Sequence, residues 1–504
     1  MPKRTTVTTK YGKYVGKEDE CGVIGFLGIP YARDPERWIR AELPEPSNET
    51  CTATEFGPAC PQPIFPEEYP FGDPTMSEKK CLNLNIWTAD TEVKNKPVMV
   101  WIHGGSYVSG SNCVPSYTNE KFVAGCPDIL IVNINYRLNA FGSMDLSSFD
   151  SKGVYKDSPS IQTLDQMLAL QWVYENIEAF GGDPQNITVF GQSAGSFSTS
   201  TLLLIPEANM YMKKAICESS GYCYNMKTAS YSKWLGERFA ETAGVDTLDG
   251  LLSLSAEQLL AAAEKHFFDP ECRKAYEPLR DGKLIPLEPY KALRSGVAKH
   301  VTLMSGSVSG EYDTAYFGAG DEDIKVSTLG LFGDRLNEEV FDKYVENYER
   351  RDKREAYLDL RNDLAIRMPV LCTNEAQNES GAETYMYYLD YRPDNITLRS
   401  QHCFEIPFFN DKLEIPFFMD ERTKEPVQGF DPAPKLQKEI QGIWANFART
   451  GNPGGGAIGI PWPKYNLQDK ATMVLTNDGW GVVNHLKTKD TELVQGLMDE
   501  TLDR

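Results

Sequence analysis

Residues 188–196 read TVFGQSAGS, and within them Gly191, Ser193 and Gly195 form the pattern G-x-S-x-G between an apolar run and a stretch of small residues. A serine hydroxyl at its free pKa is a weak nucleophile. This pattern activates one only where a sharp strand-to-helix turn lifts the hydroxyl clear of its neighbours and flanking glycines avoid a clash. The helix that follows then aims its first amides at the point where negative charge develops. The chemistry on offer is acyl transfer, and it requires a base that is itself oriented by a third group. The competing reading is an idle serine at a glycine-rich helix start, which the strand before it and the helix after it disfavour.

The chain has five histidines from which to draw that base. His402, in RSQHCFEIPFF, follows the last predicted strand and precedes an apolar run, where the chain order nucleophile, acid, histidine would put it. His103 stands in a glycine stretch and is expected to orient that loop. His266, in AAAEKHFFD, and His485, in a polar tail, read as surface residues, and His300 reads as a loop residue ahead of VTLMSG. For the acid, SVSGEYD offers Glu311 and Asp313 at the carboxyl end of a strand, where open sheets keep their site residues. Spacing alone does not choose between them. A second feature is HGGSY at 103–107, where Gly104 and Gly105 leave the backbone uncovered, either for a tight turn or for a close approach to the amides.

The elements that must position these groups alternate along the chain. KPVMVWIHG and DILIVNINYR read as buried strands, and SIQTLDQMLALQWVYENIEAFGG reads as a helix stopped at Gly181 and Gly182. The strand NITVFG, the helix start SAGSFSTSTLLLI and the strand KKAICESS follow, then strands at HVTLMSG and ETYMYYLDY and a closing helix at KLQKEIQGIWANFART. Strand and helix in alternation predict an α/β fold with a large, mostly parallel sheet covered on both faces. No repeat or linker interrupts it, so a single domain over residues 1–504 is expected, with helical insertions around 225–300 and 320–380.

Composition narrows the function. The 504 residues carry a formal charge of −21, which repels nucleic acid and anionic lipid. No run approaches the ~18 apolar residues of a membrane span, and the N-terminus MPKRTTVTTKYGKY has no apolar segment behind its basic residues. A cytoplasmic protein is expected. The eleven cysteines are unevenly spaced and form no zinc-like pattern, although Cys60 and Cys81 bracket a loop that an oxidising compartment could bridge.

Taken together, FLGIPYA, CLNLNIWTAD, PVMVWIHGGSYVSGS, NINYRLNAFG, LDQMLALQWVYENIEAFGGDPQNITVFGQSAGS, KKAICESSG and IWANFARTGNP closely resemble the type-B carboxylesterase family. That family includes bacterial p-nitrobenzyl-type esterases, mammalian carboxylesterases and cholinesterases. The resemblance implies an α/β-hydrolase fold and a serine carboxylesterase without metal or cofactor, acting on small-molecule esters. It implies Ser193 as nucleophile, Glu311 as acid and His402 as base. It places the oxyanion hole on the N–H groups of Gly105, Ser106 and Ala194, and substrate contacts on Tyr107, Gln192 and Phe71. Departures are Gln192, where many members have Glu, Cys403 after the histidine, Ser106 for a third glycine, and no Trp between Cys60 and Cys81. The last removes the aromatic platform that would hold a quaternary ammonium. A silent binding protein and a lipase are the rival readings; the presence of all three triad residues disfavours the first, and the lack of an apolar lid disfavours the second.

Overall fold

The continuous apolar runs become strands because a segment of that kind, bounded by Pro, Gly or Asp, buries both faces at once. In the computed structural model, which describes residues 4–65, 68–69, 72–221, 226–272, 275–316, 318–332, 336–347, 353–392, 399–412, 434–455 and 458–498, every residue from Val98 to Ile102 and from Leu130 to Ile134 is buried. The chain sorts by packing into two compact units, Met1–Lys214 with Asn225–Leu287, and Ala215–Tyr224 with Glu288–Arg504. Neither is continuous in sequence, so the division is not one a linker could have announced.

The first unit contains β1 (Arg4–Thr9), β2 (Gly12–Glu18), β3 (Ile24–Pro30), β4 (Thr50–Thr52), β5 (Asn83–Thr88), β6 (Lys96–Ile102), β7 (Leu130–Ile134) and β8 (Gly182–Gln192). They lie in the order β1-β2-β3-β5-β7-β6-β8, with β4 beside β2. β6 is the parallel centre, Val100 pairing with Val132 of β7 and Val189 of β8. The strands from β7 outward to β1 pair antiparallel. A parallel return needs a crossover, and the helix Ile161–Asn176 supplies it between β7 and β8. Its terminal turn stops at Gly181, in the left-handed region with φ +96°, as the paired glycines predict. β8 then begins at Gly182, earlier than NITVFG suggests.

The expected insertion is helical, with Ala229–Ala243 and Ala256–Phe268 as its longer helices. Here the structure corrects one expectation. His266 is buried, 5.5 Å from the Phe239 ring and 5.9 Å from Tyr276, and burial, with Lys227 nearby, pushes its pKa down to about 4. Its charged neighbours suggested a surface position, but it shares a face with buried Leu259, Ala262 and Ala263 at helical spacing.

The second unit contains β9 (Lys214–Glu218) from its second residue on, β10 (Thr302–Val308), β11 (Thr384–Leu389), β12 (Thr472–Thr476) and β13 (Gly479–Val483). β11 is parallel to both β10 and β12, while β13 closes antiparallel. The described residues of the 320–380 segment are largely helical as expected, ending in Met368–Glu379, and Pro434–Thr450 is the closing helix. Among the described residues no helix is long and apolar enough to cross a membrane. β10 and β11 set the ends from which the loops of the site emerge.

Candidate active site

β8 ends at Gln192 and the helix Ala194–Leu203 begins two residues later, so Ser193 alone makes the corner. Its backbone sits at φ +56°, ψ −124°, a conformation that costs a non-glycine residue of order 1–3 kcal/mol and persists only where the surroundings impose it. They do so through the flanking glycines. A Cβ on Gly195 would lie 2.0 Å from the Ile102 carbonyl oxygen, and one on Gly191 would lie 2.5 Å from the Gly195 backbone and 2.6 Å from Ile102 O. No larger residue fits at either position. Ala194 opens the helix, so its N–H has no partner within it.

The HGGSY loop leaves β6 and lies on this corner: a Cβ on Gly104 would meet Gln192 O at 2.8 Å and Ser193 Cβ at 3.3 Å. The next three residues are all left-handed, Gly105 at φ +99°, Ser106 at +56° and Tyr107 at +60°. The Gly105 carbonyl accepts from both Val108 and Ser109, at 2.9 and 3.0 Å, which winds the loop tightly. His103 holds the loop as its sequence position suggested. It is buried, its ring stacked 4.5 Å from Tyr136, and burial pushes its pKa down to about 4. The neutral ring donates Nδ1–H to Gly104 O at 2.8 Å, and Tyr136 Oη donates to His103 O at 2.8 Å.

Of the three side chains expected to touch substrate, Tyr107 is buried edge-to-face on Phe197, with its hydroxyl accepting from Ser198 Oγ at 3.2 Å. Gln192 is buried at the end of β8. Phe71 lies outside the described residues.

In the second unit the structure brings Glu311 and His402 together. Glu311 follows β10, its side chain fully buried; Oε1 accepts from Val308 N–H at 2.9 Å and Oε2 from His402 Nδ1 at 2.5 Å. The two loops are joined by Gly310 N–H donating to Ser400 O at 2.8 Å. His402 keeps 29% of its side chain exposed. Burial opposes its charged form, but the Cys403 sulfur and the Glu311 carboxylate outweigh it and hold the imidazole pKa well above 6.5. His300 and His485 are exposed.

Of the two acids that spacing left open, Glu311 is the one bonded to His402, and Asp313 is held by Arg399. Its guanidinium binds Asp313 twice, Nε to Oδ2 at 2.9 Å and Nη2 to Oδ1 at 2.8 Å, and also pairs with Asp359. Asp313 thus neutralises a buried cation and has no bond to the histidine. Asn362 completes the support, accepting from Tyr312 N–H at 2.8 Å and donating to Ser309 O at 3.1 Å. Sequence reasoning missed Arg399 and Asn362; the first is one basic residue beside the histidine motif, and the second lies in an insertion with no motif to mark it. Asp313→Asn should therefore lower stability by up to about 3–5 kcal/mol, as removing one partner from a buried pair does. The pH profile of turnover should stay in place, which thermal unfolding and steady-state kinetics on the one variant check together.

Comparison with known proteins identifies the family. The model of the carboxylesterase family matches residues 3–494. The chain is 34% identical over 485 residues to the para-nitrobenzyl esterase of Bacillus subtilis (strain 168), covering 94% of this chain and 95% of that one. It is 28% identical over 498 residues to phenmedipham hydrolase of Pseudarthrobacter oxydans, covering 95% and 96%. Among solved structures, the Geobacillus stearothermophilus carboxylesterase EST55 at pH 6.2 is similar with a TM-score of 0.84 at 31% identity, covering 98% of this chain and 100% of that one.

Proposed function

This chain belongs to the carboxylesterase family and is a carboxylic ester hydrolase of the α/β-hydrolase fold, and from that premise we propose which of its groups cleave the ester and how. Ser193 attacks the ester carbonyl as His402 Nε2 takes its proton. The N–H groups of Gly105, Ser106 and Ala194 hold the oxyanion. The alcohol leaves with the proton from His402, and water repeats the sequence on the acyl-enzyme. Glu311 stays ionised and fixes the tautomer with the proton on Nδ1, which the 2.5 Å bond supports.

The observation that carries the reading is the Ser193 corner, a strained φ of +56° kept between two glycines that no other residue could replace. Backbone strain at a nucleophile is stored where the hydroxyl must stand clear. The substrates we propose are small uncharged esters, since the loop between Cys60 and Cys81 contains no Trp to face a quaternary ammonium. A cytoplasmic setting is part of the same proposal. The experiment is rapid mixing with p-nitrophenyl esters of increasing acyl length. A burst of p-nitrophenol equal to the enzyme, with turnover fastest for short acyl chains, is expected; release without an acyl-enzyme, or a rate that jumps only above the solubility limit of a long ester, contradicts it.

The oxyanion assignment makes a separate prediction. If only the N–H of Ser106 is used, Ser106→Ala and Ser106→Gly should stay within about tenfold of the parent rate. Ser106→Pro, which deletes the donor, should lower kcat by roughly 10²–10³. A hundredfold loss in well-folded Ser106→Ala would mean that the hydroxyl itself takes part.

A further inference from the structure

Close to the Glu311–His402 pair, the second unit buries two carboxyls that the proposed steps do not use. Glu218, at the end of β9, is 2% exposed, and Glu405, three residues after His402, is 0% exposed. Each has one neutral side-chain donor. Trp444 Nε1 donates to Glu218 Oε1 at 2.7 Å, and Tyr387 Oη donates to Glu405 Oε1 at 2.8 Å. The two donor rings pack against each other with centroids 5.6 Å apart, so the carboxyls they hold are neighbours. The site is built to take the Tyr387 ring: it pairs across the sheet with Gly306, where a Cβ would lie 2.3 Å from it. Glu405 Oε2 is buried with no hydrogen-bond partner. An ionised carboxylate left half-satisfied away from water is costly, and two of them side by side more so.

We propose that Glu218 and Glu405 hold a proton between them next to His402, and that Glu405, through the charge it gains or loses, is a positioning residue for the imidazole. The proposal rests on His402 as the base. The groups facing Glu405 are Glu311 from the loop after β10, Tyr387 from β11, Glu218 from β9, and His402 and Cys403 from the turn before it. Burial and the Glu311 charge push the Glu405 pKa up to about 7, and burial and Glu405 push Glu218 well above 4.5. Tyr387 stays a phenol and a donor, its pKa raised by burial and by Glu405. As pH rises through neutrality, Glu405 gives its proton to solvent, and the new anion stabilises the imidazolium at His402.

The substitution that tests this is Glu405→Gln, which copies the protonated acid, keeps the acceptor for Tyr387 and cannot ionise. Removing the anion makes the imidazolium easier to deprotonate, so the acid limb of kcat/KM should move to lower pH by about half a unit or more. The limb should also steepen to a single ionisation. A second readout is independent of catalysis. A carboxyl whose pKa is higher folded than unfolded has its stability contribution in full below the unfolded value, about 4.5, and loses it as pH rises through about 7. The melting temperature of Glu405→Gln should therefore gain on that of the parent across that window.

An unmoved acid limb overturns the positioning role. A stability difference that is flat, or that runs against the variant as pH rises, overturns the shared proton. Failure of the underlying reading is distinguishable, because a parent enzyme with no acid limb at all removes His402 as base while leaving the stability arm standing.

Discussion

Replacing Ser193 by alanine should remove turnover almost completely, by roughly 10⁵–10⁶ in kcat, while the protein keeps its fold. Loss of a serine nucleophile in a triad has that scale, because the histidine and acid have nothing left to act upon. What remains is the catalysis of an oxyanion hole around bound ester and water. The fold should survive because the corner is set by Gly191, Gly195 and the Ile102 carbonyl and not by the hydroxyl. Alanine has no greater difficulty than serine at φ +56°, so the melting temperature should change by no more than a few degrees. A well-folded Ser193→Ala retaining a hundredth of the parent rate would place the nucleophile elsewhere.

Glu311→Gln should cost about 10⁴ in kcat, the loss found when a neutral amide replaces the acid of a triad and holds the wrong tautomer. The position favours a clean result: glutamine still accepts from Val308 N–H, so the loop stays anchored while the charge is lost. The pH profile should move as well. Glu311 raises the His402 pKa, so deleting its charge lets the imidazole lose its proton more readily, and the acid limb of the residual rate shifts to lower pH. Asp313→Asn is the control, since that carboxylate faces Arg399. A loss confined to Asp313→Asn, with Glu311→Gln active, would reverse the choice of acid.

The parts legible in the sequence were those with their own local signature. β6, β7 and the helix between β7 and β8 show as unbroken apolar runs and helical spacing, and the serine corner shows as paired glycines. β1 and β2 were not anticipated because β1 buries only Val7 among Arg4 and threonines, and β2 buries Tyr14 between glycines, too few apolar residues to raise a pattern. β13 is half exposed for the same reason. His402 and Glu311 could be nominated from their places at strand ends. Which acid met the histidine depended on Arg399, 86 residues from Asp313 along the chain, and no local pattern carries a contact of that span. The buried carboxyls were invisible for a similar reason: Glu218 and Glu405 look like ordinary surface residues until Trp444 and Tyr387 are seen to enclose them.

The central claim is that one activated serine, Ser193, carries the acyl group, and covalent labelling with a reactive organophosphate tests it most directly. Intact mass should show a single adduct forming in step with the loss of activity. Peptide mapping should locate it within TVFGQSAGS at Ser193, and the Ser193→Ala protein should take up none. An adduct on another residue as activity disappears, or full inhibition with Ser193 unmodified, would contradict the account.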